Sequence, residues 1–355
     1  MIEFMQSLKT IGIIDVPMNF SIKEFYPDLK NIISRLTRMR LLLTSLFTST
    51  FIFASGQKID NTASFRELIS EKYFRVNYDN DYFAAQDENY TQGYSFELVA
   101  PFLLKNPINK LFLHLKNDKR RAGILFEHIG FTPNQYEKFQ IQQKDRPFAA
   151  VAMIKSFDIS MSEESKQRIT SHFSFGILGP AAKGKEIQTY IHSLTGDRVP
   201  NGWINQIQNH FVLNYGIDYE KELLRFKDYL GIYTNASAKI GNLFTNASVG
   251  FTSTIGIINN PYSTSSSKKV LIYGYMQPLV TIVGYDGTLQ GGLIGDDSVY
   301  TISSGDVNRI VGQINYGFVF QTKSIYLEYS RANITKEIKT LNPASWGGIK
   351  IGFKI

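Results

Sequence analysis

The dominant pattern along the chain is an alternation of apolar and polar residues with a period of two. Between Val311 and Lys323, Ile314, Tyr316, Phe318 and Phe320 alternate with Gln313, Asn315, Gly317, Val319 and Gln321. Leu213, Tyr215, Ile217 and Tyr219 oppose Asn214, Gly216, Asp218 and Glu220, and Ile325, Leu327 and Tyr329 share a face. The last segment sets Ile349, Ile351, Phe353 and Ile355 against Lys350, Gly352 and Lys354. Successive side chains of a strand point to opposite faces, so each segment predicts a β-strand with one apolar face and one polar or small face. A soluble β-sandwich and a membrane barrel both alternate in this way. One segment departs from the pattern: between Gly184 and Gly196, Ile187, Ile191 and Leu194 recur at helical spacing, and Gly196 is a natural stop.

Two further features favour the barrel. Arg38 and Arg40 precede an uncharged run, Leu41 to Phe53, that ends in Ala54, Ser55 and Gly56. A charged start, a short apolar stretch and small residues at its end make 39–56 a secretory signal peptide, with 1–38 an upstream extension outside the fold. No other stretch is apolar for long enough to cross a membrane as a helix, whereas strands of about 9–11 residues cross when tilted and satisfy every backbone group on closing. The expectation for 57–355 is therefore one domain, an all-β transmembrane antiparallel barrel of about twelve strands in the bacterial outer membrane, with a short helix in a loop. The segment from Asn235 to Lys269 is largely polar, and its Ser/Lys-rich tail reads as an exposed loop.

Composition narrows the chemistry. There are 26 Phe and 20 Tyr against 2 Trp, the aromatic load of many short strands. With no cysteine, disulfides, Cys-bearing zinc sites and thiol nucleophiles are excluded. The 38 Lys and Arg against 31 Asp and Glu give +7 without a basic block, which does not indicate nucleic acid. The G-x-S-x-G, H-E-x-x-H and G-x-G-x-x-G patterns are missing. Gly179 to Lys185 has P-loop spacing, but Glu186 stands where the Ser or Thr belongs, so the match is chance. Asn77 to Gly93 carries Asp79, Asn80, Asp81, Asp87, Glu88 and Thr91, an oxygen density suited to a hard cation such as calcium and also to an ordinary polar turn.

Three blocks, Asn80 to Gly93, Gly130 to Ala150 and above all Gly176 to Ile207, resemble the outer-membrane lipid A 3′-O-deacylases. The resemblance implies a twelve-stranded barrel that removes an ester-linked acyl chain from lipid A of lipopolysaccharide with calcium. It places Asn80 and Asp81 on the family's Asn-Asp pair, Asp81 as metal ligand, and Thr91 on the site threonine. Lys138, five residues after Pro133, falls on a site lysine, and His192 on the catalytic histidine. The family's glutamate six residues after that histidine is Arg198 here, with Asp197 beside it as a substitute for orienting His192.

The chemistry is coherent without the name. Ester hydrolysis needs a water nucleophile, a base and positive charge at the oxyanion. Histidine is suited to be the base, and calcium on Asp81 to polarise the carbonyl. Lys138 would bind a lipid A phosphate or assist at the oxyanion, and Thr91 would position the carbonyl or support a strand. His114, His128, His172 and His210 read as structural, His128 being the first exception to consider because it precedes the second block. Asp145 and Arg146 read as an ion pair or a turn cap, and Lys183, Lys185 and Arg198 as contacts to an anionic head group. A non-catalytic pore or binding barrel on the same scaffold and an outer-membrane phospholipase are the competing functions.

Overall fold

Twelve antiparallel strands run up and down, and each pairs with its sequence neighbours until β1 meets β12 and the sheet closes. They are β1 Tyr73–Asn80, β2 Gln92–Val99, β3 Lys119–Phe131, β4 Ala149–Ser162, β5 Gln167–Leu178 and β6 His210–Phe226 in the first half. The second half holds β7 Leu230–Gly241, β8 Phe244–Ile257, β9 Val270–Asp286, β10 Ile310–Thr322, β11 Ile325–Ile334 and β12 Ala344–Lys354. Among the described residues two α-helices, α1 Gly184–Thr195 and α2 Gly287–Gln290, lie in links between strands. The structure, a computed structural model, describes residues 70–84, 91–116, 118–263 and 268–355. The readings of 1–56, of Asp87 and Glu88, and of 264–267 in the Ser-rich tail lie outside the described residues.

The period of two is what allows closure in lipid. In β10, Ile310 and Phe318 are exposed while Gln313, Asn315 and Gln321 are buried in the interior. In β12, Ile349, Ile351 and Phe353 face out, and Lys350 faces in against Glu328 at 3.5 Å. The outer wall is thus apolar where it meets hydrocarbon, and no described helix is long and apolar enough to cross a membrane. Inside, ion pairs and tyrosines fill the space: Arg75 holds Glu97 at 2.8 Å, and Arg168 holds Glu220 at 3.2 Å. The hydroxyls of Tyr275 and Tyr326 both donate to Glu328.

The polar segment after Asn235 is strand for most of its length, since it completes β7 and forms β8 before the link 258–269. Asn235 in β7 and Asn246 and Ser248 in β8 face the interior, so their polarity marks the inner face of the barrel.

Links at the end where β1 stops are 81–91, 132–148, 179–209, 242–243, 287–309 and 335–343. Those at the opposite end are mostly shorter, the exceptions being 100–118 and 258–269. Longer loops belong on the outer side of a bacterial barrel, which places the first set of links at the cell surface.

Candidate active site

Asn80, Asp81, Thr91, Lys138 and His192 all lie at the end with the longer links, and register shows which wall Asn80 occupies. On β2 the exposed Phe96 marks even-numbered residues as outward, and on β3 and β4 Ile124, Phe126 and Ile154 do the same. Asn80 pairs with Gln92, Gln92 with Gly130, and Gly130 with Ala150, so one rung of outward residues crosses four strands. The rung below runs Tyr78, Tyr94, His128 and Ala152. These positions should be bathed in lipid, yet Gln92, His128 and Ala150 are buried. The link from β5 to β6 covers them. The His128 ring donates from Nε2 to the carbonyl of Ala182 at 2.9 Å and stacks on Tyr94 with centroids 4.9 Å apart. Its Nδ1 is buried with no partner among the described residues.

Asp81 opens a short 3₁₀ turn, Asp81–Ala84, and is buried. That turn rests on the outer wall because β12 offers Gly347 there: a Cβ at 347 would come within 2.7 Å of the Cβ of Phe83. Asn80 donates from Nδ2 to the Tyr78 hydroxyl at 3.1 Å, and the residue next to it in the chain is Asp81, with its carboxylate. Amide and carboxylate oxygens are hard donors, the kind calcium takes. The described residues hold no cluster of three or more His, Cys, Asp or Glu side chains.

Thr91 is tied from both ends. Its N–H donates to Gly130 at 3.2 Å, and its hydroxyl shares a buried hydrogen bond with that of Thr132. The turn after Thr132 then reaches the histidine: the Tyr136 ring meets His192 edge-on at 5.2 Å. Gly202 N–H donates to the Tyr136 carbonyl at 3.0 Å, and Asn201 Nδ2 to that of Glu137 at 3.1 Å. The links 132–148 and 179–209 are therefore sewn into one cover. Lys138 lies in the first of them, exposed, with its backbone N–H held by Gln135.

The helix α1 carries His192 in its last turn and stops at Gly196, whose φ of +78° suits glycine. The expected apolar stripe is not the face that packs. Leu194 is 70% exposed, and the buried residues are Gly184 and Gln188. Gly184 lets the helix start lie on the wall, since a Cβ there would be 2.5 Å from the Cβ of Ala150 and from the Trp203 ring. The Trp203 indole N–H donates to the Gln188 side chain, and Phe148 packs on Trp203 at 5.1 Å. Tyr190 and Leu194 are left pointing outward.

The orientation of His192 comes from an unexpected group. Its Nδ1 lies 2.6 Å from the backbone carbonyl oxygen of Arg198. A carbonyl only accepts, so Nδ1 carries the proton and the neutral ring keeps its lone pair on Nε2. The Arg198 side chain points away, 77% exposed, and meets Glu137 at 3.4 Å. Asp197 does not orient the ring, because its carboxylate accepts from the Thr195 hydroxyl. Lys183 pairs with Glu186 at 2.8 Å, which holds the Glu186 carboxyl below its ordinary range.

Asp145 caps a turn: it accepts from the Arg146 N–H at 2.6 Å and the Asn134 N–H at 3.1 Å, while burial pushes its carboxyl up. The Arg146 guanidinium goes elsewhere, fully buried over the Phe131 ring at 3.8 Å, paired with Glu337 and donating to Thr288 at 2.7 Å. Burial raises Glu337 to about 7. His172 and His210 face Asp218 and Asp296 at 3.8 and 2.9 Å, and His114 faces Asp158 at 3.7 Å. Sequence reading left out Gln92, Tyr94 and Gly130, whose signal exists only once strands are in register.

A closed barrel of twelve strands, apolar outside and with a covered polar patch on its outer wall, defines an outer-membrane barrel protein. The sequence profile of the family described as "Outer membrane protein LpxR" matches residues 41–355. The chain belongs to that family, the outer-membrane lipid A 3′-O-deacylases. LpxR from Salmonella typhimurium has a similar structure, with a TM-score of 0.65 at 18% identity over 80% of this chain and 100% of that one. The β-domain of the Bordetella autotransporter BrkA is more distant, with a TM-score of 0.44 at 7% identity over 80% of this chain and 99% of its own. Among curated protein sequences nothing matches the chain.

Proposed function

We propose that the protein hydrolyses the ester linking an acyl chain to lipid A, with calcium and with His192 as general base. The observation that carries this reading is the Nδ1–H to Arg198 carbonyl bond, which leaves the neutral ring's lone pair on Nε2 as a proton acceptor. In the reaction, Nε2 takes a proton from water as the water oxygen attacks the acyl carbonyl. The tetrahedral intermediate collapses, the bond from acyl carbon to the sugar oxygen breaks, and the imidazolium returns its proton to that oxygen. A free fatty acid and a hydroxyl result.

Asp81 and Asn80 would hold calcium through the carboxylate and amide oxygens, and the ion would polarise the ester carbonyl. Thr91, pinned by Thr132, would position the carbonyl, and the exposed Lys138 would meet a lipid A phosphate. The cover of Trp203, Phe148 and Tyr136 keeps the helix at a fixed height above the wall. Placement on the outer wall suits a substrate that never leaves the membrane, since its acyl chains stay in hydrocarbon while the ester sits at the rim. The test is purified protein in detergent with calcium, offered lipid A and phospholipid separately. Loss of one acyl chain from lipid A alone is expected, and acyl release from phospholipid alone would overturn the assignment.

A further inference from the structure

The link between β2 and β3, residues 100–118, lies at the end opposite the site and does not make a simple turn. Two 3₁₀ turns, Pro101–Lys105 and Pro107–Leu111, carry it sideways across the outer wall. Beneath it the lipid-facing side of β4 turns polar: outward of the exposed Ile154 come Ser156, Asp158 and Ser160, all buried. The link satisfies the two serines, and Arg120 at the start of β3 the aspartate. Asn106 Nδ2 donates to the Ser156 hydroxyl at 3.3 Å, and Leu115 N–H to that of Ser160 at 2.8 Å. Arg120 closes on Asp158 at 2.6 Å. On neighbouring strands Leu113 N–H donates to Ser171 at 3.2 Å, and the Tyr215 hydroxyl donates to the Leu111 carbonyl at 2.9 Å. Polar groups on a lipid-facing wall are costly unless paired, so this segment is part of the wall and not a loose loop.

Its outer face has a distinct character. Phe102 and Leu111 are each 62% exposed and Leu113 is 52% exposed, continuing the apolar band of Ile154, Phe175 and Leu213. Between Ala100 and Lys116 the chain has three lysines, Lys105, Lys110 and Lys116, all exposed, and no acid. A cavity of about 380 Å³ opens under its start, walled by Ala100, Pro101 and Leu104 and by Lys119, Arg120 and Arg121, with Glu71 its one acidic residue. Aromatic and aliphatic side chains flanked by lysines form the pattern of a segment lying in the plane of a membrane interface.

We infer that residues 100–116 form an interfacial strap that anchors the barrel in the leaflet opposite its site by binding anionic phospholipid head groups. Phe102, Leu111 and Leu113 enter the acyl boundary, and the three lysines meet the phosphates. The inference needs only the barrel and its membrane, so it stands apart from the catalytic reading.

The chain has no cysteine, which makes the test direct. Phe102→Cys and Leu113→Cys are labelled with nitrobenzoxadiazole in the full-length protein, refolded into vesicles of phosphatidylcholine with phosphatidylglycerol, and compared with Glu164→Cys in the exposed turn after β4. Blue-shifted emission at 102 and 113, with water-like emission at 164, is expected. Nitroxide-bearing phosphatidylglycerol should quench the label at 102 roughly twofold more than nitroxide-bearing phosphatidylcholine at equal mole fraction. Replacing Lys105, Lys110 and Lys116 together by Gln should bring that ratio to one. Water-like emission at 102 and 113, as for a surface that docks a soluble protein, would overturn the inference. So would equal quenching by the two lipids in the parent. Leu111→Cys reports the same face if either labelled variant fails to refold.

Discussion

The imidazole of His192 is oriented by the backbone of Arg198, with Nδ1 2.6 Å from that residue's carbonyl oxygen. A main-chain acceptor fixes the tautomer as a carboxylate would, but it places no negative charge beside the imidazolium. The identity of the side chain at 198 therefore matters little to the ring.

Arg198→Ala should keep deacylation within about threefold of the parent, because only an exposed ion pair with Glu137 is lost, and such pairs are worth about 0–1 kcal/mol. Asp197→Asn should be as mild, since its carboxylate serves Thr195. Initial rates on lipid A check both, and a hundredfold loss in either would show that a side chain orients the base.

Gly184→Leu should separate the helix from the wall. The new side chain meets Ala150 and Trp203 at contact distances no rotamer relieves. The expected outcome is a barrel that still shows heat-modifiable migration in gels, with kcat lowered at least tenfold by misplacement of the base.

Thr91 and Thr132 share one buried hydrogen bond. Thr91→Val should destabilise the barrel by about 1–3 kcal/mol, because it leaves the Thr132 hydroxyl unpaired. The double variant Thr91→Val with Thr132→Val should recover part of that loss. Urea unfolding of protein inserted in vesicles measures the difference.

Glu337 gives a pH signature outside the strands. Burial raises its carboxyl to about 7 from an ordinary 4.5, so the neutral form is favoured in the folded protein. Its contribution to stability is complete below pH 4.5 and is lost as pH rises through 7, a fall of about 3 kcal/mol. Glu337→Gln should remove this slope from a plot of melting temperature against pH. An unchanged slope would show that the Arg146 pairing keeps Glu337 ionised throughout.

The strands were legible because lipid outside and polar packing inside impose opposite demands on neighbouring residues, as Ile351 and Lys350 show. The helix at Gly184 was legible from its spacing and its glycine stop, but its buried face was not. Leu194 is outward because the helix lies at a lipid boundary, where an apolar residue need not face protein. In β7 and β8 polar residues such as Asn235 and Asn246 line the interior, which residue type alone did not distinguish from a loop. Asn80, Asp81, Thr91 and His192 were singled out by the family resemblance, whereas the outer-wall rung that Asn80 joins could not be read from it. Gln92, Gly130 and Ala150 become one rung only through pairing between strands far apart in sequence. The strap over Ser156, Asp158 and Ser160 was hidden for a related reason: outward polar residues break the alternation, and what satisfies them comes from another segment.

The most direct measurement is the mass of lipid A after incubation with calcium and the purified protein, parent beside His192→Gln. Glutamine keeps a polar side chain at this position and cannot serve as a base of comparable strength. The account predicts loss of one ester-linked acyl chain with the parent and none with the variant, both proteins migrating as folded barrels. Equal loss of the acyl chain with His192→Gln would contradict it.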